Sequence, residues 1–390
     1  MLQLEENKGI PRRILFMMAA MAGLTVANLY YNQPLLELVR AELGVSEVEA
    51  NLVTVVTQIG YALGLCLIIP LGDLYSRRHI ITVNMLVAAL MTLTIATAGS
   101  IVVIWAASLI MGACSVIPQL FMPIAGQYSC PENKARNMGY VLSGLLTGIL
   151  ASRVISGFVG DWLGWRAMFF IATVLMVGCL LAIQAMLPAM KQNFSGSWAQ
   201  LMGSVLHIVA SNRRIRIYSV RAGFAFGSML AIWSCLAFHL SCAPFNAGAD
   251  MIGVLGLCGV VGAVAASGMG KFVPRFGIRR FSIAGALLQV VAWAVAWLFG
   301  DSYAGLIVAI ILVDIGLQCL QLSNQSGCLQ EVPEASNRAN TIFMTTYFVC
   351  GAFGTFCSAL GWENLGWCGV CIVGIVFTAI SLTISFVSKY

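Results

Sequence analysis

Four polar residues near the carboxyl end are the first place to look for chemistry: Asp314, Gln318, Gln321 and Gln325. Their spacing of four, three and four puts them on one face of an α-helix that is otherwise apolar. A charge at the centre of hydrocarbon costs about 2.5 kcal/mol or more, so an acid at that depth calls for a task. Asp314 can exchange a proton as its surroundings change between dry and wet, touch a solute directly, or stand as the permanent partner of an arginine. Arg153 is the second charge lying deep in an apolar run. It can bind an anionic group or pair structurally with an acid.

Two further polar faces repeat the pattern. Ser108, Gly112, Ser115 and Gln119 share one helical face, and Thr25, Asn28 and Asn32 share another. Tyr30, Tyr31, Trp233, Phe238 and His239 can line an aromatic pocket or serve as an interfacial belt. Nothing here suggests covalent or metal chemistry. No HExxH, GxSxG or GxxxxGK[ST] pattern occurs, and the three histidines, His79, His207 and His239, are scattered. The CxxC of Cys368 and Cys371 lacks a cluster of histidines or acids, and nearly all of the thirteen cysteines lie in apolar runs, as small hydrophobes do. The sequence is therefore read as a non-enzyme without cofactor or metal, drawing energy from a gradient.

The elements that must hold these residues follow from composition. Of 390 residues, 60% are hydrophobic and 9% charged, against about 25% charged in soluble domains. Water is not the main solvent. Twelve apolar runs long enough to cross a bilayer fall at about 14–37, 47–71, 80–98, 101–126, 137–160, 166–188, 217–241, 249–272, 281–299, 303–328, 338–360 and 366–387. The first run is too long for a signal peptide and carries Asn28, Asn32 and Gln33.

Lys8, Arg12, Arg13, Arg77, Arg78, Lys134, Arg136, Lys191, Arg213, Arg214, Arg216, Lys271, Arg275, Arg279, Arg280, Arg338 and Lys389 all fall on one side of this scheme, with Arg40 and Arg166 opposite. By the positive-inside rule both termini are cytoplasmic. The net charge of +6 is thus a topology and membrane-surface signal, and nucleic acid is not an expected partner.

Shifting the chain on itself by 202 residues brings separate loops into register together. Arg77-Arg78 meets Arg279-Arg280, Gln119 meets Gln321, and Pro131, Glu132 and Arg136 meet Pro333, Glu334 and Arg338. Asp161-x-Leu-Gly-Trp165 meets Glu363-x-Leu-Gly-Trp367. The expected fold is all-α and integral to the membrane, with twelve transmembrane helices in two parallel six-helix pseudo-repeats. The expected division is 1–188, a cytoplasmic linker 189–216 with a short amphipathic helix around Trp198, Leu201, Leu206 and Val209, and 217–390. Glycines Gly253, Gly256, Gly259 and Gly262, with Gly139, Gly144, Gly148 and Gly157, are expected to let spans eight and five meet across the halves. Arg221, near one end of span seven, is expected to snorkel to the surface.

Pro70-Leu-Gly-Asp-Leu-Tyr-Ser-Arg-Arg78 resembles the loop between helices two and three of the major facilitator superfamily, usually G-x-x-x-D-R-x-G-R-R. Ala27 to Leu36, Arg153-x-x-Ser-Gly157, Gly164-Trp-Arg166, Asn324-Gln-Ser326 and Arg338-Ala-Asn340 are similar to the bacterial group of arabinose and drug exporters. Leu74 and Ser76 depart from the usual loop, and Pro274 stands where the second copy would carry its acid.

The resemblance implies a monomeric bacterial inner-membrane antiporter. The polar but mostly uncharged stripe suggests a small neutral or weakly ionic, amphiphilic solute with several hydrogen-bonding groups, which would leave by rocker-switch alternating access, driven by the proton gradient. The resemblance places the cavity at Asn28, Tyr31, Asn32, Ser115, Gln119, Arg153, Asp314, Gln318, Gln321 and Gln325. Asp314 would carry the coupled proton, and Asp73, Arg77, Arg78 and Arg136 would form a cytoplasmic gate. An importer or uniporter of the same fold, or a non-transporting membrane sensor, shares these features.

Overall fold

The computed structural model describes residues 4, 6, 8–188, 197–259, 261 and 276–388, and among them there is no strand. The helices are α1 Arg12–Ala27, α2 Leu36–Leu43, α3 Glu47–Leu67, α4 Leu71–Leu74, α5 Arg77–Thr97, α6 Ile101–Cys114, α7 Ile117–Tyr128, α8 Lys134–Leu163 and α9 Trp165–Met186. After them come α10 Trp198–Ser211, α11 Arg213–Ser241, α12 Ala249–Gly256, α13 Ile278–Phe299, α14 Tyr303–Glu331 and α15 Ser336–Val387.

Nine segments among the described residues are long and apolar enough to span a membrane, and three details reconcile that number with twelve spans. Gly366 (φ 58°, ψ −141°) divides α15 into the eleventh and twelfth spans. The first span is interrupted after α1 and falls short of the length needed. The eighth, begun by α12, runs beyond the described residues, as do Gly262 and Pro274.

The duplicated Leu-Gly-Trp has a physical explanation. Gly164 (φ 82°) and Gly366 (φ 58°) both adopt the positive φ that only glycine takes without strain, so each reverses the chain between consecutive spans. The tryptophan that follows is then tied down. Trp165 Nε1 donates to Glu42 Oε2 at 2.6 Å, and Trp367 Nε1 donates to the Ala296 carbonyl at 2.9 Å.

The interrupted first span departs from the uninterrupted helix expected over 14–37. Pro34 has no N–H to give, and the chain between Ala27 and Leu36 relaxes to tighter hydrogen bonds, such as Tyr30 N to Ala27 O at 2.9 Å and Leu35 N to Asn32 O at 2.9 Å. Residues Trp198–Ser211 form a helix of their own, α10. A capping box of Ser197 and Gln200 starts α10, Leu201 and Val205 are buried, and Arg216 Nη1 donates to the Ala210 carbonyl near its end at 2.6 Å. Residues 189–196 lie outside the description.

Arg221 departs from the snorkelling expectation. It is fully buried, donating from Nε to Asn324 Oδ1 at 2.7 Å and from Nη1 to Ser388 Oγ at 3.3 Å. It ties α11, α14 and the end of α15 together, because oxygens of those elements accept from it within the bundle.

The glycines divide between two tasks. Gly157, Gly253, Gly256 and Gly259 do join α8 to the eighth span: a Cβ at Gly157 would lie 2.5 Å from the Ala249 carbonyl, and one at Gly256 3.0 Å from Arg153 Cβ. Gly144 and Gly148 instead press α8 onto α1 within the first half, and Gly139 meets nothing within 4 Å. Because a Cβ at Gly148 would stand 2.2 Å from the Gly23 carbonyl oxygen, Gly148→Val should cost about 1–3 kcal/mol. Thermal unfolding in detergent should register that loss, with Gly139→Val nearly unchanged as the control.

Candidate functional site

The interruption of the first span turns Tyr30 and Gln33 toward Arg153 of α8. Arg153 is 3% exposed. Its Nε donates to Gln33 Oε1 at 2.8 Å, and its guanidinium lies 4.9 Å from the Tyr30 ring centre and 4.2 Å from that of Trp233 on α11. Ring faces offer a buried cation electrostatic compensation worth about 2 kcal/mol when water is excluded. Three helical segments from both halves therefore enclose one charge.

Asp314 of α14 is also buried and belongs to the same cluster. It is within Coulombic reach of Arg153, yet no ion pair within 4 Å joins them. The Trp233 indole N–H lies beside Asp314 without reaching hydrogen-bond geometry. A Cβ at Gly259 would stand 3.4 Å from Asp314 Oδ2, so the glycine-lined eighth span covers both charged residues.

Aromatic rings continue the seam. Tyr61 of α3 meets Phe348 of α15 at 4.4 Å, and Phe226 of α11 stacks on Tyr347 at 4.0 Å. The Tyr347 hydroxyl donates to Gln321 Oε1 at 3.0 Å, and Gln119 Nε2 donates to the Tyr61 hydroxyl at 3.5 Å. The duplicated glutamines thus hold one tyrosine in each half.

Other expected cavity residues sit differently. Asn28 Nδ2 points into the first half, at 3.5 Å from Ser115 Oγ and 3.4 Å from Met176 Sδ, and Tyr31 faces Cys179 of α9. Asn32 is buried, with neither amide atom hydrogen-bonded. Gln318 is half-buried on α14, and Gln325 Nε2 donates to Asn340 Oδ1 at 2.9 Å. Gln33, Tyr61 and Tyr347 are the seam residues that sequence periodicity does not single out. Only the adjacent Pro34 hints that Gln33 leaves the helical pattern.

At the end of the bundle carrying the termini, Arg77 is buried, donating to the Gly72 carbonyl at 3.3 Å and to Gln127 Oε1 at 2.9 Å. Arg78 donates to the Gln184 carbonyl at 2.7 Å, and Arg136 lies 5.8 Å from the ring of Tyr140 on its own helix. The side chain of Asp73 lies outside the description. A cavity of about 60 Å³ opens here between the halves, lined by Arg77, Gln119, Leu201, Asn337 and Thr341 among others.

The opposite end is bonded shut across the halves. Trp362 Nε1 donates to Glu47 Oε2 at 2.7 Å, and Asn51 Nδ2 donates to the Ser234 carbonyl at 3.2 Å. Arg40 and Arg166, the two basic residues on the sparse side, are matched there by Glu37 and Glu42 at 2.6 and 2.8 Å.

Two helical halves in a bilayer, closed at one end over a buried polar and aromatic seam, define a multi-pass membrane transporter. The Major Facilitator Superfamily profile matches residues 15–355. The chain is 33% identical over 378 residues to the uncharacterized transporter YgaY of Escherichia coli O157:H7, covering 97% of this chain and 96% of that one. It is 30% identical over 363 residues to a probable transporter of Streptomyces coelicolor, covering 93% and 84% respectively. Its fold is similar to the nucleoside transporter NupG, with a TM-score of 0.74, 13% identity and coverage of 97% and 98%. A bacterial homologue of the human lysosomal transporter Spinster, solved inward-facing and unoccupied, gives a TM-score of 0.71 at 15% identity, with 96% of each chain covered. This chain belongs to the major facilitator superfamily.

The closed end can be tested through a native thiol. Cys235 is fully buried behind the Asn51 bond, whose Nδ2 lies 3.7 Å from its sulfur. In a protein retaining Cys235 as its sole cysteine, Trp362→Phe removes about 1 kcal/mol of cross-half bonding and should accelerate maleimide labelling about fivefold. An unchanged rate would mean that this bond does not hold the end closed.

Proposed function

We propose that this transporter is a proton-coupled exporter of a small solute in a bacterial inner membrane, working as a monomer with both termini in the cytoplasm. The observation that carries the coupling is Asp314: a buried carboxyl group on α14, covered by Gly259, facing Arg153 of the other half without pairing with it. An acid so placed changes its electrostatic surroundings when the halves rock. Water reaches it from one side and then the other, and a proton is exchanged at each. The outward direction rests on the likeness of several short sequence motifs to exporters. The orientation rests on the basic loops at the termini end.

Arg77 and Arg78 fit the gate reading by binding α7 and α9 at that end. Those bonds lie within the first half and turn with it as a unit, so they brace the rim of the gate rather than latch one half to the other. The driving force is the proton gradient, and no cofactor enters the cycle.

Purified protein in liposomes with an imposed pH gradient tests the role of Asp314. Asp314→Asn should lower gradient-driven flux about tenfold or more while solute-for-solute counterflow persists, because only the proton-linked step is removed. Full gradient-driven flux in the variant sinks the assignment.

A further inference from the structure

The seam holds hydrogen-bonding capacity that the protein does not use. Arg153 offers its faces to Tyr30 and Trp233 and its Nε to Gln33, while among the described residues no oxygen accepts from its two terminal nitrogens. Gln33 Nε2 and Trp233 Nε1, both buried, are likewise without partners. Buried donors left unsatisfied cost about 1–3 kcal/mol each, so a cluster of them around one guanidinium points to a ligand that accepts. A planar carboxylate fits the open fork of an arginine through two parallel bonds.

Asp314 is the complementary half of the site. Trp233 touches both charged residues, with its ring over Arg153 and its N–H beside Asp314. The two charges are therefore about one indole apart, too far to pair and close enough for one small molecule to bridge. Tyr30, Trp233, Phe226, Tyr347 and Phe348 supply an apolar, ring-lined wall around them.

Accepting that the seam is the substrate site, we infer that it takes a zwitterion of amino-acid size with an apolar or aromatic side group. Its carboxylate lies on Arg153, its ammonium on Asp314 and its side group against the rings. This chemistry also accounts for exchange. An ammonium group and a proton compete for the same carboxylate, so release of one at Asp314 accompanies uptake of the other.

The test is ligand binding by the intact protein in detergent, read by thermal shift and by quenching of tryptophan fluorescence. Three probes are compared: L-phenylalanine, phenylalaninamide (no carboxylate) and hydrocinnamate (no ammonium). L-phenylalanine should bind about tenfold or more tightly than either analogue. Arg153→Lys should weaken phenylalanine and hydrocinnamate together by about tenfold, leaving phenylalaninamide unchanged. Asp314→Asn should weaken phenylalanine and phenylalaninamide but not hydrocinnamate.

Retained binding of the unaffected probe shows that each variant is folded. No binding of L-phenylalanine up to about 10 mM, or equal binding of all three probes, overturns the inference. Proton-driven flux of other solutes alongside such a result leaves the transport reading standing. Conversely, zwitterion binding without flux under a pH gradient removes the coupling and keeps the site chemistry.

Discussion

A guanidinium far from bulk water fixes most of what surrounds it. Arg153 cannot shed its proton, so the fold must compensate a full positive charge within the bundle. Compensation comes from the Tyr30 and Trp233 faces, the Gln33 carbonyl oxygen and the field of Asp314. Each requires an element to be where it is. The first span must break so that Tyr30 and Gln33 leave its helical register. The eighth must be small enough at Gly256 and Gly259 to lie over Arg153 and Asp314 without displacing them. The second and eleventh must close the distal end so that water stays out.

The contact between α8 and α12 is backbone on backbone at Gly157 and Gly253, with Gly256 lying flat against the Arg153 side chain. Such a surface gives van der Waals contact and close approach without knobs to be lifted from holes. Cohesion at the distal end comes instead from a few directional bonds, Trp362 to Glu47 and Asn51 to the Ser234 carbonyl. Individually these contribute about 1 kcal/mol. A few bonds of that size can hold one arrangement while leaving another within thermal reach.

The fold was readable from the chain because its signals are one-dimensional: length of apolar run, placement of basic residues and the 202-residue repeat. Gly164 and Gly366 were visible only as part of the repeat, yet their positive φ explains why it survived there. The site was half legible. Asp314 and Arg153 announce themselves as charges in hydrocarbon, and Gln119 and Gln321 by their register. Tyr30 replaces Tyr31 at the seam, and Gln33 replaces Asn28, because the helical count assumed in the sequence fails after Ala27. Arg221 misled for a related reason: nearness to the end of a span says nothing about Asn324 and Ser388, which arrive from far along the chain.

The two buried charges belong to different copies of the repeat, Arg153 to the first and Asp314 to the second, with Thr355 and Gly112 at the equivalent positions. During synthesis the first six spans emerge with Arg153 accompanied by Tyr30 and Gln33 alone, before Trp233 and Asp314 exist to complete its enclosure. Each half made separately would carry a lone charge on the surface meant for its sibling. Biogenesis is thereby biased toward joining the halves, since their union is what relieves both.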